Sequence, residues 1–161
     1  MPDFSKHVEQ AKHNKEISKL LNTTHKSKFN DWVVTTCFYA SVHMVEAMIN
    51  ESDHLLVPAS AFPRYSEQRK LVKRPGVKHS SDLEDDYAKC GHELRNSILI
   101  DNKWFFKRVG VVCSTLRSMS QSARYDCQTM NDEDADSSEK LLYCAIVDFN
   151  SWAIQKGLPT I

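Results

Sequence analysis

Glycine and proline are scarce, four and five in 161 residues, so the many tight turns of a β-sandwich or barrel have little to be made from. Cysteine is sparse and odd in number. Cys37, Cys90, Cys113, Cys127 and Cys144 include no C-x-x-C pair, which excludes a zinc cage of that spacing and argues against a disulfide framework. Neither sign of charge is in excess, with 21 Lys and Arg against 21 Asp and Glu, so no global field draws the chain to nucleic acid or an anionic membrane. No apolar run reaches the roughly 18 residues that a bilayer span requires. The opening Met1-Pro2-Asp3-Phe4-Ser5-Lys6-His7 lacks the apolar stretch of a signal peptide. No membrane association is expected, and a cytoplasmic location is.

What is present is helical periodicity, and the expected fold class is all-α, an up-and-down helical bundle of four to five helices in one domain over 1–161. A first helix from about Asp3 to Leu21 places Phe4, Val8, Ala11, Ile17 and Leu21 near one face and belongs on the outside of the bundle. A second runs from an N-cap at Asn30 to Asn50, with Phe29 and Val34 set for a hydrophobic staple. Trp32, Val33, Cys37, Phe38, Ala40, Val42, Met44, Val45, Ala47, Met48 and Ile49 make it apolar on most of its circumference, as befits a central helix.

Residues 52–79 carry Pro58, Pro63 and Pro75 and read as a connector, with at most a short helix around Ser66 to Lys73. A capping box at Ser81 and Glu84 opens a third helix that ends near Asp101, and a fourth spans about Lys103 to Ser120, with a strand around Val109 to Val112 as the alternative. Residues 126–137, with the run Asp132-Glu133-Asp134-Ala135-Asp136, read as an acidic loop whose Asp136 caps a final helix ending at Gly157.

Chemistry concentrates in two places. On the second helix Tyr39, His43 and Glu46 are spaced by four and three, so a carboxylate could orient an imidazole for acid, base or pH-sensitive work; the favoured reading of the stripe is a satisfied polar seam against another helix or a second subunit. In the connector Arg64, Arg69, Lys70, Lys73, Arg74, Lys78 and His79 surround Tyr65, a set that could hold phosphates without reading sequence or simply solvate a loop. Arg124 and Tyr125 close a helix, where Arg meets the negative end of the macrodipole. His7, His13, His25, His54 and His92 show no metal-ligand spacing with one another or with the cysteines, and neither metal nor cofactor is expected.

The stretch Asp31-Trp32-Val33 with Phe38-Tyr39-Ala40-Ser41-Val42-His43 and Val45-Glu46-Ala47 resembles a helix of small bacterial and archaeal HEPN-superfamily proteins, which reads D-W-A, F-Y-A-A-x-H and V-E-A. Pro63-Arg64-Tyr65-Ser66-Glu67-Gln68-Arg69 and Ser120-Gln121-Ser122-Ala123-Arg124-Tyr125 are similar to further pieces of that group, so the resemblance spans roughly Val8 to Trp152. It implies a bundle of four or five helices, often a homodimer, in proteins tied to nucleotide or RNA binding, toxin–antitoxin pairs and phage defence. Ribonuclease members carry Arg, a polar residue and then His on one helix. Arg95-Asn96 begins that pattern, but Ile100, Asp101 and Asn102 stand where the His should fall. Arg74 and His79 have the spacing with Pro75 and Gly76 between them, which breaks a shared helical face.

The expectation is a non-catalytic or degenerate bundle, with no catalytic residue assigned. It dimerises and binds a nucleotide, RNA or protein partner through Tyr39, His43, Glu46, Arg64, Arg69, Arg95, Asn96, Arg124 and Tyr125. The rivals are a metal-independent endoribonuclease and a structural subunit of a larger defence complex. Dimerisation is expected on two grounds, the habit of the family and an apolar circumference on the second helix that a small bundle does not readily cover.

Overall fold

The computed structural model describes residues 3–52, 56–58, 71–73, 95–96, 98–100, 102–126 and 129–161. It is an all-α helical bundle built on α1 (Phe4–Thr24), α2 (Asn30–Asn50), α3 (Lys103–Tyr125) and α4 (Asp132–Gln155). Residues 95–96 and 98–100 are also helical. Among the described residues the β structure is one antiparallel ribbon, β1 (Leu56–Pro58) against β2 (Leu71–Lys73), with Val57 opposite Val72. The expected short helix over 66–73 is thus a strand at its end, Leu71-Val72-Lys73, where a Leu-Val pair has a partner strand to bond with. Its remainder, and the third helix before residue 95, lie outside the described residues, as do Arg64, Arg69, Arg74 and His79.

Each boundary has a local cause. Asp3 caps α1 by accepting from Lys6 N at 3.0 Å. α1 runs to Thr24, a turn beyond the expected Leu21, and the chain then reverses through Ser27, whose φ of +65° is left-handed. Phe29 rather than Asn30 occupies the cap position of α2. Asn30 is instead the first helical residue, and its side chain is spent on the start of α4, donating to Met130 O at 3.2 Å and Asp132 Oδ1 at 2.9 Å.

The acidic stretch corrects the expectation of a loop, because α4 begins at Asp132. Asn131 and Asp134 form a capping box with bonds of 2.9 and 3.0 Å, and three acids in the first turn face the positive end of the helix dipole. Asp136 therefore lies inside the helix. At the other end Gly157, at φ +68°, follows the cap, and Leu158 N reaches back to Ala153 O at 2.9 Å in a Schellman closure. The alternative strand around Val109 to Val112 is helix, within an α3 that runs to Tyr125.

α2 is the core helix, with Val33, Val34, Cys37, Phe38, Met44, Val45, Met48 and Ile49 buried against α1, α3 and α4. Its length and composition would suit a bilayer, yet 78% of its most apolar window is buried within the bundle. The chain buries most of α2 by itself and leaves Trp32 exposed, so any reason to dimerise lies at that residue rather than in the apolar circumference as a whole. Phe4 of α1 stacks on Phe149 of α4 at 6.3 Å, and Trp152 sits edge-on to Phe105 at 6.1 Å, closing the end of the bundle where α4 finishes.

Candidate functional site

The Tyr39, His43 and Glu46 stripe is divided among three different elements. Glu46, on α2, is 1% exposed and takes Arg95 as an ion-pair partner, with Nε at 2.7 Å and an Nη at 2.6 Å from the same carboxylate oxygen. Arg95 is itself only 9% exposed. A charge moved out of water at that depth is tolerable because the guanidinium meets the carboxylate through two N–H groups. Cys113 of α3 lies in the field of the pair, and its thiol is raised from the ordinary value chiefly by burial, with Ser41 and Arg95 pulling the other way. Cys37 is pushed up to about 12, again by burial, so both behave as core thiols rather than nucleophiles at neutral pH.

His43 meets His7 of α1, their Nδ1 atoms 3.1 Å apart and their rings 5.4 Å apart between centroids. One ring must present N–H and the other a lone pair for that distance to be favourable. His7 is buried on the same face as Phe4, Val8 and Ala11. Its place three residues after Phe4 and four before Ala11 is a signal in the sequence that marks it as inward facing, and the candidate residues omit it.

Tyr39 belongs to a third grouping. Arg124 Nη1 donates to Tyr39 Oη at 3.3 Å, and the guanidinium lies over the Tyr39 ring at 5.8 Å and the Tyr125 ring at 5.0 Å. Arg124 Nε also donates to Ser120 O at 3.2 Å, the capping role expected of it. Trp32, two turns before Tyr39 on α2, is exposed like Tyr125. Arg124 thus comes to Tyr39.

Around Arg95 there is little space for chemistry. The cavity that Arg95 shares with Cys113 and Arg117 amounts to about 10 Å³. Asn102, where a ribonuclease-type His could fall, is fully buried and donates to Ile98 O at 2.8 Å, fixing the turn into α3. Asn96 opens on the other side into a cavity of about 350 Å³ that Lys103 and Lys107 also line. Among the described residues no group of three or more His, Cys, Asp and Glu side chains could hold a metal ion.

Comparison of the chain with protein-family models, with curated proteins and with solved structures finds no match.

Proposed function

We propose that this chain is a catalytically degenerate, HEPN-like bundle that works by binding, a homodimer that holds a protein partner in a toxin–antitoxin or phage-defence type of assembly. The buried Arg95–Glu46 pair carries this reading. A ribonuclease arginine must reach the phosphate as charge develops on it, and a guanidinium held at 2.6 and 2.7 Å by a 1% exposed carboxylate is committed elsewhere. The burial of Asn102 supports the same conclusion, since the position that a catalytic His would need serves a turn.

The grouping of Trp32, Tyr39, Arg124 and Tyr125 supports self-association. Trp, Tyr and Arg are the residues that dominate interface energies, and here Trp32 and Tyr125 are exposed while Tyr39, half-buried, lies under the Arg124 guanidinium. Binding of a nucleotide or RNA is a second reading, favoured by the cavity in which Asn96 lies beside Lys103 and Lys107.

Incubation with single-stranded RNA in EDTA at low and high salt tests the central reading, and no cleavage is expected. Cleavage that disappears in Arg95→Ala or His43→Ala would make the chain an endoribonuclease. Light scattering at micromolar concentration is expected to give a dimer that Trp32→Ser and Tyr125→Ser convert to monomer.

A further inference from the structure

We propose that His7 and His43 form a proton-operated latch between α1 and α2, closed at neutral pH and opened by mild acid, which uncovers the face of α2 that carries His43. The two imidazoles come from positions 36 residues apart and meet with their Nδ1 atoms at 3.1 Å. His7 is 2% exposed, on the inward stripe of α1 with Phe4, Val8 and Ala11, and His43 is half-buried on α2. A nitrogen-to-nitrogen distance of this length holds one hydrogen. When both rings are neutral, one Nδ1–H donates to the lone pair of the other. When one ring is protonated, it donates to the lone pair that remains, in a bond strengthened by its charge. When both are protonated neither nitrogen keeps a lone pair, and two positive charges face each other at the edge of the core. The folded pair therefore accommodates one proton where the unfolded chain binds two.

The charges around the pair do not favour the second proton. A cavity of about 430 Å³ beside the two rings is lined by Lys6, Glu9, Gln10 and His13 of α1. Lys6 opposes a further positive charge, and His13 can add only one of the same sign. Glu9, the one carboxylate lining the cavity among the described residues, is exposed and acts through water. Asp3, one turn before His7, is exposed too, and its carboxylate accepts from Lys6 N. On α2 the carboxylate one turn beyond His43 is Glu46, whose charge Arg95 balances through two bonds to one oxygen. α4 meets this end of α1 with the rings of Phe149 and Trp152 against Phe4, and among the described residues neither α3 nor α4 brings a side chain to the cavity.

Release is confined to one end of α1. Among the described residues the histidine pair is the side-chain hydrogen bond that ties residues 4–14 to another helix. The far end is pinned separately by Asn22, which donates to Asp136 Oδ1 at 3.0 Å and Glu139 Oε2 at 2.7 Å. Carboxylates as a class keep their charge well below the range in which imidazole titrates, so mild acid acts on the first of these anchors and spares the second. With one proton more on the open form, the ratio of open to closed α1 rises by up to about 10-fold for each pH unit below about 6.5, the ordinary value of imidazole.

Hydrogen exchange in the intact protein, read by mass spectrometry and corrected for the intrinsic pH dependence of amide exchange, compares the start of α1 with α4. Between about pH 6.5 and about pH 5.5 protection over 7–14 is expected to fall by about 5- to 10-fold, and over 136–150 by less than about 2-fold. His7→Gln keeps the bond across this range, because its amide donates to a neutral His43 or accepts from a protonated one, and the acid-induced fall should disappear. His7→Leu, an apolar side chain on the stripe of Phe4 and Ala11, should abolish the fall as well by removing one of the two titrating rings, and it serves if the glutamine variant folds poorly. Protection over 7–14 that is the same at both pH values in the wild type overturns the proposal. So does a fall shared equally by α4, which would be global unfolding, or a fall that survives both substitutions, which would put the titrating group elsewhere.

Discussion

Two polar junctions hold α2 in place, and they differ in what their loss would mean. Deep in the bundle Glu46 and Arg95 form one short charge pair with both side chains buried. At the end where α1 turns into α2, Asn22, Lys26, Ser27 and Asn30 reach across to Asp132, Asp136 and Glu139 through bonds of 2.7 to 3.4 Å, the two amides buried and the carboxylates partly open to solvent. Water can reach the carboxylates of the second junction. It cannot at the first, where both charges are buried. The inner pair therefore sets whether the fold stands, and the outer network sets which helix ends lie side by side.

The largest effect follows directly. Glu46→Ala is expected to cost about 3–5 kcal/mol, because the buried Arg95 guanidinium loses the carboxylate that meets it at 2.6 and 2.7 Å. Glu46→Leu combined with Arg95→Met should recover most of that loss, since two apolar groups of similar size remove the desolvation cost along with the attraction. Urea unfolding of the single and double variants decides it. A double variant as unstable as the single one would show that the pair contributes more than mutual compensation.

Next in size is the contact that brings the 95–100 helical segment against α3. A methyl at Gly110 would sit 2.9 Å from Phe106 Cβ and 3.2 Å from Leu99 Cδ2, so Gly110→Ala is expected to destabilise by about 1–3 kcal/mol through overpacking beside the Arg95 segment. Three residues earlier Lys107 holds φ +46° and ψ −127°, a strained conformation for an L-residue that interrupts α3. Lys107→Gly should accordingly stabilise by about 1 kcal/mol, read as a rise in melting temperature. A fall would mean that the break is held by something other than its backbone cost.

The inner and outer junctions were unequally legible. Helix type and order could be read because Val33, Cys37, Met44 and Met48 repeat at helical spacing, and because Gly157 and Pro159 mark a stop. The partner of Glu46 could not. Spacing on one helix identifies His43 and Tyr39 as neighbours, whereas the ion pair joins residues 49 positions apart, and no local rule carries that distance. The start of α4 was misplaced for a different reason. A run of acids reads as a solvated loop until the preceding Asn131 is recognised as a cap that turns those charges into favourable first-turn residues. His7 was readable from its place on the buried stripe of α1, but its partner lies on another helix.

The smallest effect tests the outer network by pH. Asp132 is held below the ordinary value of 3.8 by hydrogen bonds from Asn30, then Ser27, with Lys26 adding a coulombic pull; Asp136 is lowered by Asn22 first and then by Lys26. A carboxyl whose folded pKa is depressed binds its proton more readily when unfolded. Its contribution is therefore complete above the unfolded value of about 3.9 and is lost as pH falls through the lower folded value. The melting temperature should stay level from neutral pH to about pH 5 as far as these two groups are concerned, then drop more steeply in the wild type than in Asn22→Ala with Asn30→Ala, whose aspartates titrate nearer their unfolded value. Salt separates the two causes. Both aspartates are partly open to solvent, so added salt screens the Lys26 attraction while leaving the amide and hydroxyl bonds in place. The acid-dependent difference between wild type and the Asn22, Asn30 variant should persist in high salt, and the difference between wild type and Lys26→Ala should vanish there. If salt abolished both, charge alone would join these helix ends, and the four hydrogen bonds that Asn22 and Asn30 donate would count for no more than the water that could replace them.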